Sequence, residues 1–472
     1  MTAKQYTENE IRISSLVQAR TAELTAIYND REEIRWFQGS FKKYEEKEHF
    51  INKFPNEDDA MYRHRIKNYA PWNVVKRTIE VLTSKPFQVP AIIETDNDKI
   101  KSLEDNFDGR GNKITRVLMK MFSKGLWETQ AHAFIDFPTA KVDKNGVPIY
   151  DTKARPTVTI LNNDNILDVD GVDGDLKLLR FSETFTRYKN DFERETLKRI
   201  KFYKKEDDGS VYCSIFEEEY EGSGITILKR RSKISLPYIP VVSFKPLDIY
   251  DSAFFPKSNI FDPMIQQNIV LFNKDCDLSN IVSVTCFPLL VGSGFGSGNS
   301  EGDQIGIGAN NIIMSNNKDA KLQYVENTGT AQQNAFKYIS DVVSRLNQLG
   351  FEMMTEKSQN ATAAAKLIDA AGNNATIGNF AINLQDTAQK IIKVMADWMR
   401  VDLENVQYSV DVKTDYAIKT NADEMNALVT AFQSGAMTAE QYMFELRKRG
   451  IVDENFIFEG DNENNVENVV IE

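Results

Sequence analysis

A glycine-rich stretch between two helical segments constrains this chain more than any other sequence feature. The stretch VGSGFGSGNSEGDQIGIG occupies residues 291–308. Before it, the Asp-Pro pair at 262–263 provides an N-cap and a first-turn proline, which predicts a helix that runs to about Val284. After it, Thr330 can cap a second helix, and Gly350 would end that helix because glycine tolerates the left-handed conformation. The sequence therefore predicts two long helices that bracket a glycine-rich insert.

Both predicted helices carry apolar residues at helical spacing. Residues three or four positions apart lie on the same side of a helix, so each set forms one stripe that has to be buried. Neighbouring subunits can bury such a stripe as readily as the rest of the same chain. The first stripe comprises Ile265, Ile269, Phe272 and Cys276, and the second comprises Phe336, Ile339, Val343, Leu346 and Leu349.

The first part of the chain, residues 8–130, has mainly helical periodicity, and residues 131–245 have mainly short β-rich runs. The β-rich runs are separated by glycine-containing turns, which predicts a meander of antiparallel strands. The predicted fold class is α+β, mainly helical. The predicted helices are Ile11–Tyr28, Arg31–Phe41, Asp58–Leu82 and Lys113–Trp127, and the runs are AHAFIDF, PTVTIL, KLLRFSETF, RIKFYK, SVYCSIF and ITILKRR.

The last part of the chain is predicted to contain one long helix and a terminal helical hairpin. The long helix, residues 361–399, contains Gly372 and Gly378, where a kink is predicted. A strand-like run, YSVDVKTDY, follows it. In the hairpin, Gly435 ends the first helix, and the pair Thr438–Gln441 forms a capping box for the second.

The charge of the chain is acidic and unevenly distributed. The 69 Asp and Glu exceed the 57 Lys and Arg, giving a formal net charge of −12. Residues 421–472 hold 11 acidic and 3 basic side chains, and the last 22 residues, 451–472, hold seven acidic and no basic ones. Binding that neutralises phosphates over a large surface, as in a DNA repressor, is therefore disfavoured. A hydrophobic share of 41% excludes a mainly disordered chain.

The chain lacks the common catalytic and metal-binding motifs, with no GxxxxGK[ST], HExxH or GxSxG sequence. We therefore expect neither catalysis nor a metal or cofactor, and we expect buried, unpaired cysteines. With no signal-peptide core and no apolar run of about 18 residues, we expect a cytosol-like compartment and no membrane partner. The scattered histidines and cysteines are His49, His64, His132, Cys213, Cys276 and Cys286.

Three local patterns have alternative interpretations. The alternating glycines at 292–298 could bring backbone N–H groups close to an anion, but a helix-like segment precedes them and no basic residue accompanies them. A connector is therefore favoured over nucleotide binding.

The run at 168–175 resembles a calcium loop, but Val172 stands where an oxygen ligand is required and Asp173 where a glycine is required. A hairpin turn is therefore favoured. The hairpin at 422–450 could read DNA as a helix-turn-helix, but the acidic tail beside it would repel DNA.

Several blocks of the chain together resemble the portal proteins of tailed bacteriophages. The first block, residues 54–87, has an acidic lead-in, a basic Arg-x-Arg helix and an apolar helix that ends in Lys-Pro. No block is a catalytic signature, so the resemblance rests on their order and spacing over most of the chain. The other blocks are AHAFIDFP (131–138), RPTVTILNNDNILD (155–168), LPYIPVVSF (236–244), FPLLVGSGF (287–295) and YVENTGTAQQNAFKYISDVVSRLNQLGFEMM…NATAAAKLIDAA (324–371).

The resemblance implies an elongated subunit with wing, stem, clip and crown regions. The implied regions are a wing (1–256), a stem helix (257–285), a clip (286–328), a second stem helix (329–353), a tunnel loop (354–361), a long kinked helix with a wing strand (362–416) and a crown hairpin with the acidic tail (417–472). The residues implied to face DNA are Thr355, Glu356, Lys357, Ser358, Gln359 and Asn360. The residues implied to dock partners are Gly292, Gly294, Phe295, Gly296 and Gly298.

The resemblance also implies a function and partners. Portal proteins form a ring of about twelve copies at one capsid vertex and pass double-stranded DNA through its channel without reading its sequence. The implied partners are the terminase large subunit, adaptor and tail proteins, and the major capsid and scaffolding proteins. The chain would be assembled in the host cytoplasm and retained in the virion. Two alternatives are another ring-forming virion protein, such as a head-tail adaptor or capsid component, and a nucleotide-binding enzyme that uses residues 292–298.

Overall fold

The computed structural model describes most of residues 34–247 and the principal helices after them. The described residues are 10–12, 34–39, 41, 47–138, 141–142, 148–149, 154–247, 254, 259–285, 289–293, 319, 321–325, 329–349, 363–403, 406–414, 422–435, 437–438, 441–442 and 446.

Helices and strands alternate in blocks along the described chain, which confirms the α+β class. The helices are α1 (Asp59–Asn68), α2 (Val74–Ser84), α3 (Asp98–Lys101), α4 (Ile114–Glu128), α5 (Asp262–Thr285), α6 (Thr330–Leu349), α7 (Ala363–Met399) and α8 (Ala422–Gln433). The strands are β1 (Glu10–Arg12), β2 (Ile92–Thr95), β3 (Ala131–Asp136), β4 (Lys141–Val142), β5 (Pro148–Ile149), β6 (Thr157–Ile160), β7 (Ile166–Val172), β8 (Asp175–Tyr188), β9 (Arg194–Lys205), β10 (Val211–Glu218), β11 (Ile225–Lys233), β12 (Val241–Phe244), β13 (Leu289–Ser293), β14 (Lys321–Val325) and β15 (Tyr408–Asp411).

The helices α1 and α2 begin at side-chain caps, and α1, α2 and α4 each bury one face. Asp58 accepts a hydrogen bond from the backbone N–H of Ala60 at the start of α1, and Asn73 accepts one from Lys76 at the start of α2. In α4 the buried residues recur at helical spacing, as the sequence predicted. The predicted helix at 113–127 is confirmed, and residues 34–38 are helical within the predicted segment at 31–41. The predicted segment at 58–82 forms two helices, α1 and α2, because residues 69–73, which include Pro71, interrupt it.

The predicted meander is confirmed for the last four β-rich runs, which form the consecutive strands β8 to β11 of a six-stranded sheet, whereas the first two runs form β3 and β6 of a separate sheet. The order of the six-stranded sheet is β1-β11-β10-β9-β8-β7, and each neighbouring pair is antiparallel. The segment at 168–175 forms the β7–β8 hairpin, with Gly174 at a φ of 91°, so the hairpin interpretation is confirmed over the calcium loop. Among the described residues, no cluster of histidine, cysteine, aspartate and glutamate side chains could hold a metal.

The prediction of a helix from Ile11 is wrong at its start. Residues Glu10–Arg12 form β1 and pair with β11, where Ile11 lies opposite Thr226. Pairing satisfies the backbone groups of an otherwise open sheet edge, which outweighs a local helical pattern. The rest of the predicted segment, residues 13–28, lies outside the described residues.

A three-stranded sheet, in the order β12-β3-β6, lies between the large sheet and the helices. Its central strand β3 is buried on both faces: Ala133 and Ile135 belong to the main core with α4 and α7, whereas Phe134 packs with Phe181 and Tyr203 of the large sheet. Alternation of side chains along a strand explains this division. The small sheet therefore joins the two cores.

A polar network of four side chains connects β3 and β12 of the small sheet to the turn between β7 and β8. The hydroxyl of Ser243 donates to Asp173 at 2.8 Å and lies 2.9 Å from Nδ1 of the fully buried His132. Lys245 pairs with the same aspartate at 3.1 Å. The sequence of hydrogen bonds differs from that of a catalytic triad. Here the serine donates its proton to the aspartate, whereas in a triad it donates to the histidine. The network instead ties the β7–β8 turn to β12 and β3.

The long helix α7 spans Gly372 and Gly378 as one continuous element, and the predicted kink stays a prediction. Residues 376–399 of this helix are largely buried in the main core. Near its C-terminal end, the indole N–H of Trp398 donates to the carbonyl of Ile135 at 3.2 Å, and Tyr238 donates to Asp397. Burial and this carboxylate raise the pKa of the Tyr238 hydroxyl.

The predicted capping box of the terminal hairpin is confirmed. The Thr438 hydroxyl accepts from the backbone N–H of Gln441 at 3.2 Å, and the Gln441 side chain accepts from the backbone N–H of Thr438 at 3.1 Å. Gly435 follows α8 with a φ of 72°, as a helix-ending glycine should.

Two further features concern the cysteines and the apolar length of the helices. Cys213 and Cys276 are buried and unpaired, as predicted, and Cys286 lies outside the described residues. Within the described part of the chain, no helix has the length and apolar character to cross a membrane.

Candidate ring interface

The helices α5 and α6 pack against each other and are joined through a two-stranded ribbon. In the ribbon, β13 and β14 are antiparallel, with Leu289 opposite Val325 and Ser293 opposite Lys321. An antiparallel ribbon returns the chain to the end at which it left, so α6 runs back along α5. We call α5 and α6 the helix pair and β13 with β14 the ribbon. The two predicted helices are confirmed.

Burial changes along the helix pair. In α5, Ile265, Phe272 and Cys276 of the predicted stripe are at most 2% exposed, whereas Ile281, near the C-terminal end, is 42% exposed. In α6 exposed residues near the N-terminal end are followed by Val342 and Leu346, which are at most 1% exposed, and only the last residue, Leu349, is again 42% exposed. One end of the pair is therefore inserted into the core, and the other end projects from it.

The projecting end carries apolar side chains that the described part of the subunit leaves exposed. Phe336 is 56% exposed, Tyr338 42% and Val291 of the ribbon 44%. We call these three residues, with Ile281, the tip of the helix pair. A two-stranded ribbon has little stability alone in water, and large exposed apolar side chains are typical of contact surfaces. The tip is therefore a surface suited to a partner.

Aromatic packing fixes the inserted end of α5. The Phe272 ring stacks on Phe37 at a centroid distance of 5.5 Å and meets Phe41 edge-on at 5.0 Å. Phe50 completes the cluster, 5.4 Å from Phe37. Offset and edge-to-face contacts of this kind contribute about 0.5–1.5 kcal/mol each beyond the area that they bury. The segment before α1 is therefore bound tightly to α5.

A buried arginine forms the strongest polar contact at this inserted end. Arg65 of α1 donates two hydrogen bonds to Glu57, at 2.9 and 2.8 Å, and both side chains are nearly inaccessible to solvent. Its guanidinium lies 4.2 Å from the centroid of the Phe54 ring and 3.5 Å from both Cys276 Sγ and Asp277 of α5. One side chain thereby joins α1, the preceding turn and α5.

The electrostatics of this contact follow from its hydrogen bonds. The hydrogen bond from Arg65 lowers the pKa of Glu57 below its usual value, although burial opposes the shift. The same bond raises the pKa of Arg65. Tyr69 donates to Asp275 of α5 at 3.0 Å, and burial followed by this carboxylate raises the pKa of the Tyr69 hydroxyl. The ion pair is therefore fully charged near neutral pH.

Asn268 of α5 makes a second contact, because its side chain binds the N-terminus of α2 in addition to the cap residue Asn73. Its carbonyl oxygen accepts hydrogen bonds from the backbone N–H groups of Val74, at 2.9 Å, and Val75, at 3.2 Å. Its amide donates to the carbonyl of Trp72 at 3.0 Å. The fully buried Asn268 of α5 thus satisfies the first N–H groups of α2.

Replacing Asn268 by alanine is expected to lower the free energy of unfolding by about 1–3 kcal/mol, because the buried N–H of Val75 loses its acceptor and that of Val74 keeps only the Trp72 carbonyl at 3.1 Å. Chemical denaturation at fixed chain concentration measures the loss. Asn273→Ala is the control, since its carbonyl oxygen accepts from the exposed backbone N–H of Asn52 and its amide donates to the carbonyls of Phe50 and Ile269, so no buried N–H loses its acceptor. Its loss should be about 1 kcal/mol or less. Equal losses for the two variants would show that Asn268 does not act as the cap.

The structure describes only a small part of the predicted partner and DNA surfaces. Gly292 lies in β13 opposite Leu322 of β14. The predicted docking residues Gly294, Phe295, Gly296 and Gly298 lie outside the described residues, as does the whole predicted DNA-facing segment 355–360.

The sequence interpretation missed the polar contacts of α5. Asn268, Asn273 and Asp275 lie beside the apolar stripe of α5, and each of them contacts residues between 50 and 75. Polar residues next to the apolar positions of a helix are a recognisable signal of buried hydrogen bonding. The signal shows that partners exist, but their identity depends on the tertiary structure.

Comparison with known proteins gives one family match. A family described only as a domain of unknown function (DUF4055) matches residues 262–399, which run from the first residue of α5 to the last residue of α7. The match therefore covers the helix pair, the ribbon and the long helix. No curated protein matches the chain.

Similar solved structures come from gene transfer agent (GTA) particles. A chain in the neck of a native GTA particle, computed with C12 symmetry, is 11% identical with a TM-score of 0.40, over 78% of this chain and 88% of that chain. A chain in the neck of an empty GTA particle, computed with C6 symmetry, is 10% identical with a TM-score of 0.42, over 79% and 89%. A chain in the virion of a native particle is 12% identical with a TM-score of 0.38, over 79% and 88%. At scores this low, the similarity establishes neither the fold nor the function of this chain.

Proposed function

We propose that this chain is the subunit of a phage portal, a ring at one capsid vertex through which double-stranded DNA is packaged and ejected. The observation that carries the proposal is the helix pair, whose apolar tip and ribbon project from the core of the subunit. Such an element is stabilised when identical copies pack side by side around an axis. The order of the sequence blocks that resemble portal proteins supports the same function.

The charge of the chain suits a channel through which DNA slides. Each contact between a basic side chain and a phosphate adds affinity and therefore resistance to movement. Of the net charge of −12, the segment 421–472 contributes −8, so the rest of the chain carries only −4. A nearly neutral channel would hold DNA loosely. Within this proposal, residues 355–360 supply the DNA-facing loop, and Lys357 is the cation that reaches the phosphates.

In this proposal the subunit has no catalysis of its own. About twelve copies form the ring, and the terminase large subunit supplies the packaging motor. Adaptor and tail proteins dock at the clip, through Gly292 of β13 and residues 294–298, and the major capsid and scaffolding proteins surround the ring.

The projecting helix pair is equally suited to a second kind of protein, a head-tail adaptor or another ring-forming virion component. The two proposals differ in where the chain lies in the particle. A portal lies at a single capsid vertex, an adaptor lies only below it, and a capsid component lies at every facet.

Gold labelling of a tagged chain in assembled particles tests the proposal. Electron microscopy should find one label site per particle, at the vertex that joins the tail and in the plane of the capsid shell. Heads assembled without tails should retain that label, because a portal is built into the capsid before the tail is added. Labels at every facet, or labels absent from tailless heads, would refute the portal proposal.

A further inference from the structure

A cleft of about 870 Å³ opens on the large sheet, on the side that faces the C-terminal end of α7. Strands β9, β10 and β11 form its floor, and the residues after β3 and Trp398 form its wall. No residue of this cleft belongs to the helix pair or the ribbon. Its chemistry is therefore independent of the proposed ring interface.

The charge of the cleft is positive. Five basic and two acidic side chains line it. Arg199 pairs with Glu217 at 2.7 Å and with Glu183 at 3.2 Å, and Lys201 pairs with Asp136 at 3.0 Å. Strand β11 also lines the rim with three exposed basic side chains, Lys229, Arg230 and Lys233. The rim therefore favours an acidic occupant.

Part of the floor and part of the wall of the cleft are apolar. The buried Tyr203 and Cys213 lie in the floor beside the half-buried Ile215. On the wall, the Phe137 ring stacks on Trp398 with 5.8 Å between centroids. A partly apolar floor inside a cationic rim is suited to an extended peptide that carries both acidic and aromatic side chains.

We propose that this cleft binds the acidic C-terminal segment of the chain itself, residues 451–472, from the same or a neighbouring subunit. The segment holds seven acidic and no basic residues. Its two aromatic residues, Phe456 and Phe458, lie in the run DENFIFEGD, which has acidic residues on both sides of them. Aromatic side chains would enter the apolar part of the floor while the carboxylates meet the basic rim.

The length of the segment allows this docking. The last described residue is Leu446, so 26 residues follow it. Extended chain spans up to about 3.3 Å per residue, so the segment could reach across the surface of its own subunit or onto the next. A nucleic acid is disfavoured as the occupant, because the formal net charge of the chain is −12 and repels phosphates over most of its surface.

Photocrosslinking in the full-length protein tests this proposal. The variant Ser235→benzoylphenylalanine places the crosslinker at an exposed lining position. Because residues 450–472 contain no lysine or arginine, trypsin releases the segment as a single peptide. Mass spectrometry should find this peptide joined to position 235. The same crosslinker at Lys120, an exposed position on α4, should not capture it.

Charge reversal identifies the cause of the contact. The triple variant Lys229→Glu, Arg230→Glu and Lys233→Glu should lower the crosslink yield about tenfold, since three exposed ion pairs become repulsive. The matched control reverses three exposed lysines elsewhere, Lys99, Lys120 and Lys177, and should leave the yield unchanged. Crosslinks at 235 only to other segments, or a yield that both triple variants leave unchanged, would overturn the proposal. Crosslinking of an added DNA duplex in place of the segment would do the same.

Discussion

Replacing Phe336 and Tyr338 together by glutamate is expected to convert the ring into separate subunits. Both side chains lie at the exposed tip of the helix pair, at 56% and 42% exposure, where neighbouring copies are proposed to pack. Each apolar side chain lost from a contact removes about 1.5–3 kcal/mol, and a carboxylate left at an apolar contact adds a desolvation cost. This loss of contact free energy occurs at every subunit interface of a closed ring. Mass photometry at micromolar concentration measures the outcome.

Lys337→Glu is the matched control for this double variant. It lies between the two positions on α6, is exposed, and changes the subunit charge by the same amount. Glutamate is also a good helix former, so neither variant should disturb α6 itself. We expect the control to retain the ring. If the double variant still forms rings of unchanged size, the tip does not lie in the subunit interface.

Arg65→Ala is expected to lower the free energy of unfolding by about 3–5 kcal/mol, because the nearly inaccessible Glu57 would keep its charge without a partner. The variant also removes the contact of the guanidinium with the Phe54 ring and with Asp277 of α5. Denaturation has to be compared at one chain concentration, since the stability of an oligomer depends on concentration.

Lys53→Ala provides the comparison for Arg65→Ala. Lys53 pairs with Asp59 at 2.5 Å, but both side chains are largely solvent-exposed. Exposed ion pairs contribute about 1 kcal/mol or less. A loss in Arg65→Ala no larger than that in Lys53→Ala would show that the buried pair does not hold α1 against α5.

The same ion pair has a pH dependence of known sign. The folded-state pKa of Glu57 lies below the usual 4.5, so its contribution to stability is fully present above that pH and is lost as the pH falls through the folded-state pKa. The difference in stability between the unaltered protein and Arg65→Ala should therefore shrink in acid. A constant difference from neutral pH to pH 3 would exclude Glu57 as the partner that matters.

Much of the secondary structure could be predicted from local patterns. The stripe at Ile265, Phe272 and Cys276 is buried as predicted, and the capping box Thr438–Gln441 forms as its residue types require. These features depend on residues a few positions apart, which a sequence displays directly. The β meander was predicted for the same reason, since alternation and glycine turns mark each strand.

Features that depend on distant residues could not be predicted. The pairing of β1 with β11 overrides a helical pattern, and Asn268 caps a helix nearly 200 positions earlier in the chain. The stripe on α6 shows a further difficulty, because Leu346 is buried within the subunit while Phe336 is exposed. Periodicity predicts that a face needs a partner, but it does not tell which chain provides it. The proposed regions from wing to crown stay predictions.

The most direct test of the proposed ring is the mass of the purified, unaltered protein. Mass photometry at micromolar concentration, with electron micrographs viewed down the particle axis, should show closed rings with a central hole. With about twelve copies of the 53.8 kDa chain, the particle mass would be about 650 kDa. A sample that contains only compact 53.8 kDa particles, without a hole, would contradict the proposed function.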